Sequence, residues 1–184
     1  MEDKSLSTTQ KIITAVIAAA VFVLPFVLQG ASAEAVIDGA FLAVLVIQAA
    51  IDAATMTVYR GLNWLLLGAA VLSAMLIPGL HLTDRLIGAV IIALPMLALA
   101  LRFGAFGMGD VKLCAVIGFF LGWPKTLIAF FFAVMAAGMA AVTMRLLGKA
   151  SERMAFVPYL AFGTVAAYVF GGFLTQAYSV LLFR

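Results

Sequence analysis

Seven apolar stretches, separated by polar residues or by glycine and proline, follow one another along this chain. A helix needs about 20 residues to cross the hydrocarbon core of a membrane, and most of the stretches are close to that length. The pattern therefore predicts membrane-spanning helices near Ile12–Gln29, Ala35–Met56, Asn63–Leu80, Leu86–Leu101, Val111–Trp123, Thr126–Leu146 and Phe156–Leu174.

The fifth stretch is too short for a full span, because its residues fall well below the usual length of about 20. We expect its helix to begin partway into the membrane or in a pocket lined by protein. Glycines at positions 104, 107 and 109 precede it and predict a break in the chain. Gly118 and Gly122 form a small-x-x-x-small pair, which predicts a close helix contact. The fold class expected is an all-α polytopic membrane protein of about seven transmembrane helices.

Composition supports this fold class. Of the 184 residues, 66% are apolar and 10% are charged, and the mean hydropathy of +1.23 lies far above that of soluble domains. The charges that make up the net +3 flank the helices singly, so we expect the lipid bilayer and no nucleic acid as a partner. The single cysteine, Cys114, excludes an internal disulfide and a Cys-pair metal site. No metal or organic cofactor is expected.

The first stretch has two interpretations. Lys11, the apolar run and the small residues before Glu34 resemble a signal peptide with its cleavage site, but the run is longer than a usual signal core. An uncleaved helix is therefore favoured, and in either case the second span enters from outside. We divide the chain into residues 1–33, a transmembrane helix or signal segment, and residues 34–184, the core.

Lysine and arginine set the expected orientation, since cytoplasmic loops carry an excess of them. With the N-terminus inside, eight of these residues are cytoplasmic and three are outside. The inside group is Lys4, Lys11, Arg60, Arg102, Lys112, Arg145, Lys149 and Arg153, and the outside group is Arg85, Lys125 and Arg184.

Acids near the outside, Glu34, Asp38 and Asp84, are expected to face water or stabilise helix starts, with no catalytic role.

Two other acids lie within apolar surroundings. Asp52 is late in the second span and Asp110 is at the start of the fifth, so both lie at cytoplasmic ends. A carboxylate at the centre of a span costs roughly 2.5–3.5 kcal/mol, and such acids usually face a wet cavity or each other. Two carboxylates that share a water molecule can hydrolyse a peptide bond. The sequence therefore predicts Asp52 and Asp110 as a catalytic pair.

Residues beside Asp110 have supporting roles in this hypothesis. Gly107 and Gly109 lack side chains and would allow a peptide backbone to come close. Lys112 points away from Asp110 on a helix, and we expect its ammonium to reach the cytoplasmic interface as a topological anchor. The alternative is that its charge acts on Asp110 or on the substrate. A phosphate-binding loop is disfavoured, since no Gly-Lys-Ser/Thr follows the glycines.

The segment 107–113, Gly-Met-Gly-Asp-Val-Lys-Leu, resembles the Gly-x-Gly-Asp motif of the type IV prepilin peptidases, which are intramembrane aspartic proteases. The segment 51–58 resembles the first aspartate motif of that family. The segment 156–163 resembles its third motif, and there Pro158 is expected to kink the last helix. Residues 58–60 are Val-Tyr-Arg where the family usually has Ile-Pro-Asn, which predicts a softer helix break after Asp52.

The resemblance is to the short, single-domain members of tight-adherence pilus systems. It implies a prepilin leader peptidase of the bacterial inner (cytoplasmic) membrane, with its active site toward the cytoplasm. The implied substrates are type IV prepilin-like or pseudopilin proteins, cut after a basic leader by Asp52 and Asp110. Two other functions stay open: a catalytically silent assembly protein of a pilus or secretion system, and an ion-coupled transporter with the acids as a proton relay. The sequence sets no oligomeric state.

Overall fold

The computed structural model describes residues 6–77, 79–104, 106–148 and 154–182, with the backbone alone for 173–182. Four cations used in the orientation prediction, Lys4, Lys149, Arg153 and Arg184, lie outside these residues. The described chain is all-α, as predicted. Its helices are α1 (Thr8–Gln29), α2 (Ala33–Thr55), α3 (Arg60–Leu76), α4 (Leu82–Ile91), α5 (Ala93–Phe103), α6 (Met108–Leu121), α7 (Trp123–Leu146) and α8 (Val157–Leu182).

Four helical stretches are long and apolar enough to cross a membrane, judged by length and composition. They are α1, α2, α7 and the stretch Leu82–Phe103 that contains α4 and α5. α3 and the first part of α8 are apolar but shorter. α4 and α5 divide the fourth predicted span at Ile92. Pro95 explains the division, because proline has no N–H for the preceding helical turn and its ring crowds the carbonyl of residue 91.

α6 is the central helix of the bundle. It contacts α3, α4, α5, α7 and α8, and its ring of buried residues includes Leu113 and Ile117. Phe120 stacks on Phe41 of α2, with ring centroids 3.8 Å apart. The short fifth stretch therefore forms a helix that is largely surrounded by protein, which agrees with one of its two predicted placements.

Arg85, which the orientation prediction counts among the cations outside the spans, is a buried residue of a helix. Its side chain is 2% exposed, within α4. The guanidinium donates hydrogen bonds to the carbonyl oxygens of Phe119 and Phe120, at 3.4 and 3.3 Å, and to Ser73 Oγ at 3.3 Å. The two carbonyls belong to the last turn of α6, where the helix dipole favours a cation. Arg85 therefore joins α3, α4 and the end of α6.

Asp38 is also buried, and the prediction that it faces water is wrong. It is 8% exposed, and its Oδ2 accepts hydrogen bonds from Tyr168 Oη at 2.6 Å and from Gln29 Nε2 at 3.1 Å. These contacts join α1, α2 and α8 at the end of the bundle where Arg85 also lies. Asp38 and Arg85 both line a cavity of about 430 Å³. Asp52 is fourteen residues further along α2, which places it about 21 Å away along the helix axis.

Candidate active site

Asp52 lies in the last turn of α2 and is 4% exposed. The next residues end the helix: Met56 adopts a left-handed conformation with φ 53°, and its N–H donates to the carbonyl oxygen of Asp52 at 2.7 Å. The chain is non-helical until α3 begins at Arg60. α2 thus ends at Thr55, before the position at which the family has proline, and the softer break relative to the family stays a prediction.

Asp110 is the third residue of α6 and is half-buried. Gly104, with φ 62°, ends α5, and a short non-helical segment leads into α6. The Oδ2 of Asp110 accepts a hydrogen bond from the backbone N–H of Gly107 at 3.3 Å. An acid in the first turn of a helix stabilises that helix through its dipole. Asp110 thus has a structural role as a helix cap, in addition to the catalytic role that the sequence predicts.

Gly109 explains how the two acidic segments come together. A Cβ atom at this position would lie 2.7 Å from Cβ and 2.9 Å from Cγ2 of Val58, which is closer than atoms can pack. The loop after α2 therefore rests directly on the first turn of α6. The atoms nearest Gly109 belong to the side chain of this protein's own Val58 and not to a peptide backbone, so the close approach of a substrate backbone stays a prediction.

The start of α8 supplies the third segment of the site. The backbone N–H of Val157 donates to Oδ2 of Asp52 at 3.2 Å in a buried position. The N–H groups in the first turn of a helix have no partners within the helix, so the carboxyl group supplies one. The rings of Phe106 and Phe156, just before α6 and α8, meet edge to face with centroids 5.5 Å apart. This contact places the start of α8 beside the start of α6.

Pro158 does not kink α8, and that prediction is wrong. It is the second residue of the helix, whose first residue is Val157. Proline at a helix start disrupts no hydrogen bond, since the N–H it lacks would have no partner within the helix. Pro158 therefore favours the start of α8 at the point where Val157 meets Asp52.

Three contacts bring the segments that carry Asp52 and Asp110 together: Val157 donates to Asp52, Phe156 meets Phe106, and Val58 packs on Gly109. The two acids are 58 positions apart in the sequence, and each is held by a backbone N–H at a helix N-terminus, from Val157 and Gly107 respectively. The positive ends of two helices thus stabilise negative charge on the pair. Two carboxyl groups that share one proton can activate water and polarise a carbonyl, which is the chemistry that the sequence hypothesis assigns to this pair.

The other residues of the sequence hypothesis lie around this pair. Gly107 is the residue before α6, and its N–H holds Asp110. The side chain of Lys112 is exposed, in agreement with an anchor at the membrane surface. Sequence reasoning missed the Val157 N–H. A backbone N–H cannot be recognised from residue type, and the only indication in the sequence is that Val157 directly precedes Pro158.

Comparisons with known proteins give a consistent result. Residues 39–142 match the type IV leader peptidase family, a stretch that includes Asp52 and Asp110 but ends before Pro158. The chain is also 37% identical over 81 residues to a protein of Bacillus subtilis (strain 168), "Prepilin leader peptidase/N-methyltransferase". That similarity covers 43% of this chain and 33% of the Bacillus protein, so the chain matches about a third of its relative's length. No solved structure matches significantly.

Proposed function

The chain belongs to the type IV leader peptidase family, and we propose that it hydrolyses the peptide bond after the basic leader of a type IV prepilin-like or pseudopilin protein. The observation that carries the proposal is the packing of the two segments that hold Asp52 and Asp110, with Val58 against Gly109 and the start of α8 against Asp52. The similarity to the Bacillus prepilin leader peptidase supports the substrate class.

The mechanism follows from the chemistry of paired carboxyl groups. In the proposed reaction one aspartate is ionised and takes a proton from a water molecule, which attacks the scissile carbonyl carbon. The other aspartate is protonated and donates to the carbonyl oxygen as charge develops there. The C–N bond of the tetrahedral intermediate then breaks, and the aspartate that took the proton from water gives it to the leaving amine nitrogen. Like charges at close range oppose full ionisation of both groups. The pair is then expected to titrate as a unit.

The proposal is tested by expressing the chain together with candidate prepilins in a host that has no prepilin peptidase. The mass of each intact pilin is compared between cells with the unchanged protein and cells with Asp110→Asn. Loss of a leader only with the unchanged protein is the expected result. If the protein is folded in the membrane and no pilin changes mass, a silent assembly function replaces the peptidase.

A proton relay finds less support in the described residues. A relay through α2 would need polar groups along the helix between Asp38 and Asp52. Gln48 is one buried polar residue in this stretch, but Phe41, Leu42 and Leu45 form an apolar section of more than one turn between Asp38 and Gln48. This section separates the acids at the two ends of α2.

Lys112→Ala is expected to weaken cleavage without abolishing it, by about tenfold or less. The Lys112 ammonium is exposed, and exposed charges interact weakly with their neighbours because water and salt screen them. The rate of prepilin cleavage by the purified protein measures the effect, with Lys112→Arg as the matched control that keeps the charge. Complete loss of cleavage in Lys112→Ala, with full activity in Lys112→Arg, would instead give the charge an essential role.

The active site is proposed to face the cytoplasm, following the distribution of lysine and arginine. A thiol-labelling experiment tests this orientation, because the single native cysteine, Cys114, is 2% exposed and should give little background. Phe103→Cys, at the end of α5 near the acids, should be labelled only after the membrane is permeabilised. His81→Cys, before α4 at the opposite end, should be labelled by an impermeant reagent in intact spheroplasts. The reverse labelling pattern would contradict the orientation.

A further inference from the structure

Gln48 in α2 is a fully buried amide with no hydrogen-bond partner. Its side chain is 0% exposed, and within the described part of the chain neither Oε1 nor Nε2 makes a hydrogen bond. Burial of an amide without a partner opposes folding, and nearly all buried polar groups in proteins are paired. The stability of the fold therefore does not explain a glutamine at this position.

Other buried polar side chains have structural explanations. Asp38 accepts hydrogen bonds from Tyr168 and Gln29. The hydroxyl groups of Thr126 and Thr164 donate to carbonyl oxygens one turn earlier in their own helices, at 2.6 and 2.7 Å. These groups join helices or satisfy backbone acceptors. Gln48 differs because neither of its amide atoms is used.

The position of Gln48 relates it to Asp52. The two residues are four apart in α2, so they are neighbours on one helix face, a full turn apart. A glutamine and an aspartate at this spacing are able to hydrogen-bond. Asp52 uses Oδ2 to accept from Val157, and Oδ1 is available for a second donor. Catalytic hydrogen bonds often form fully only when substrate is bound.

We infer that Gln48 is a positioning residue for Asp52. Its amide donates a hydrogen bond to the Asp52 carboxyl group, directly or through one water molecule, in the substrate complex. Together with the Val157 N–H, this bond fixes the rotation of the carboxyl group toward Asp110. The inference rests on the proposed peptidase function, since it assigns Gln48 a task only in that reaction.

Gln48→Met tests the inference, because methionine has a similar length and is unbranched but cannot donate a hydrogen bond of this kind. The expected result is a fall in kcat of about tenfold or more with KM unchanged. The melting temperature should stay the same or rise, because the substitution removes an unpaired buried amide. Cleavage kinetics and thermal unfolding are measured on the purified full chain in detergent, with a prepilin as substrate.

Thr164→Val is the matched control, as it also removes a fully buried polar group and should leave kcat unchanged. A Gln48→Met protein with wild-type kcat would overturn the inference, and so would one that fails to fold or melts lower, since the amide would then be structural. Wild-type protein and Asp110→Asn are assayed alongside. If the wild type cleaves no prepilin, the proposed function itself fails, whereas normal cleavage by both wild type and Gln48→Met defeats only the role of Gln48.

Discussion

Asparagine in place of either Asp52 or Asp110 is expected to abolish prepilin cleavage, with a loss in kcat of about 10³-fold or more, because each acid carries out a different proton transfer. The fold should persist. An asparagine oxygen still accepts the N–H of Val157 at position 52 and the N–H of Gly107 at position 110, as the carboxylates do. The mass of a co-expressed prepilin and the cleavage rate of the purified protein measure the effect.

Asp84→Asn is the matched control for these two substitutions. Asp84 is a half-buried acid in the first turn of α4, at the opposite end of the bundle, and its replacement should leave cleavage unchanged. The double variant Asp52→Asn with Asp110→Asn should lose no more activity than each single variant, since residues that act as a unit are not additive. Cleavage at the wild-type rate by either single variant would remove that aspartate from the catalytic pair.

The central part of the fold was predictable because it depends on local properties of the chain. The length of the fifth apolar stretch predicts a short internal helix, and α6 is that helix. The alternating direction of the spans predicts that Asp52 and Asp110 share one end. The structure packs the segment after Asp52 against the first turn of α6, with Val58 on Gly109, a contact that the order of spans alone does not predict.

The buried charges were not predictable because their partners are distant in the sequence. Asp38 is paired with Tyr168, 130 positions later. Arg85 donates to carbonyl oxygens in the last turn of α6, which are backbone groups that no residue type reveals. The orientation prediction counts charged residues near the ends of the spans, and it therefore places both Asp38 and Arg85 in water. Hydrogen bonds between helices instead compensate for their burial.

The start of α8 shows a different limit. Pro158 predicts a disturbance of the helix. Whether a proline kinks a helix or begins one depends on where the helix starts, and a shift of the start by one or two residues changes the outcome. The helix begins at Val157, which leaves an N–H free to hold Asp52. Gln48 was also missed, since an amide within an apolar span is unremarkable until its surroundings show that it has no partner.

α4 and α6 cross in close contact, and this contact helps to fix the helix that carries Asp110. Gly88 and Gly118 meet there with no space for side chains. A Cβ on Gly118 would lie 2.0 Å from the carbonyl oxygen of Gly88, and a Cβ on Gly88 would lie 2.3 Å from that of Gly118. The close contact predicted at Gly118 is confirmed, although Gly122 ends α6 with φ 76° and lies outside the helix. Asp110 is eight residues before Gly118 on the same helix.

Gly118→Ala is therefore expected to destabilise the protein by about 1–3 kcal/mol or more, because backbone and not a flexible side chain must move to admit the methyl group. Separation of α4 and α6 should also displace Asp110 from Asp52 and lower kcat. The melting temperature in detergent and the rate of prepilin cleavage measure the two effects. The matched control is Gly138→Ala in α7, where an added Cβ meets nothing within 4 Å, and where alanine should stabilise the helix slightly. Equal melting temperatures for the two variants would mean that α4 and α6 are not held in contact at these glycines.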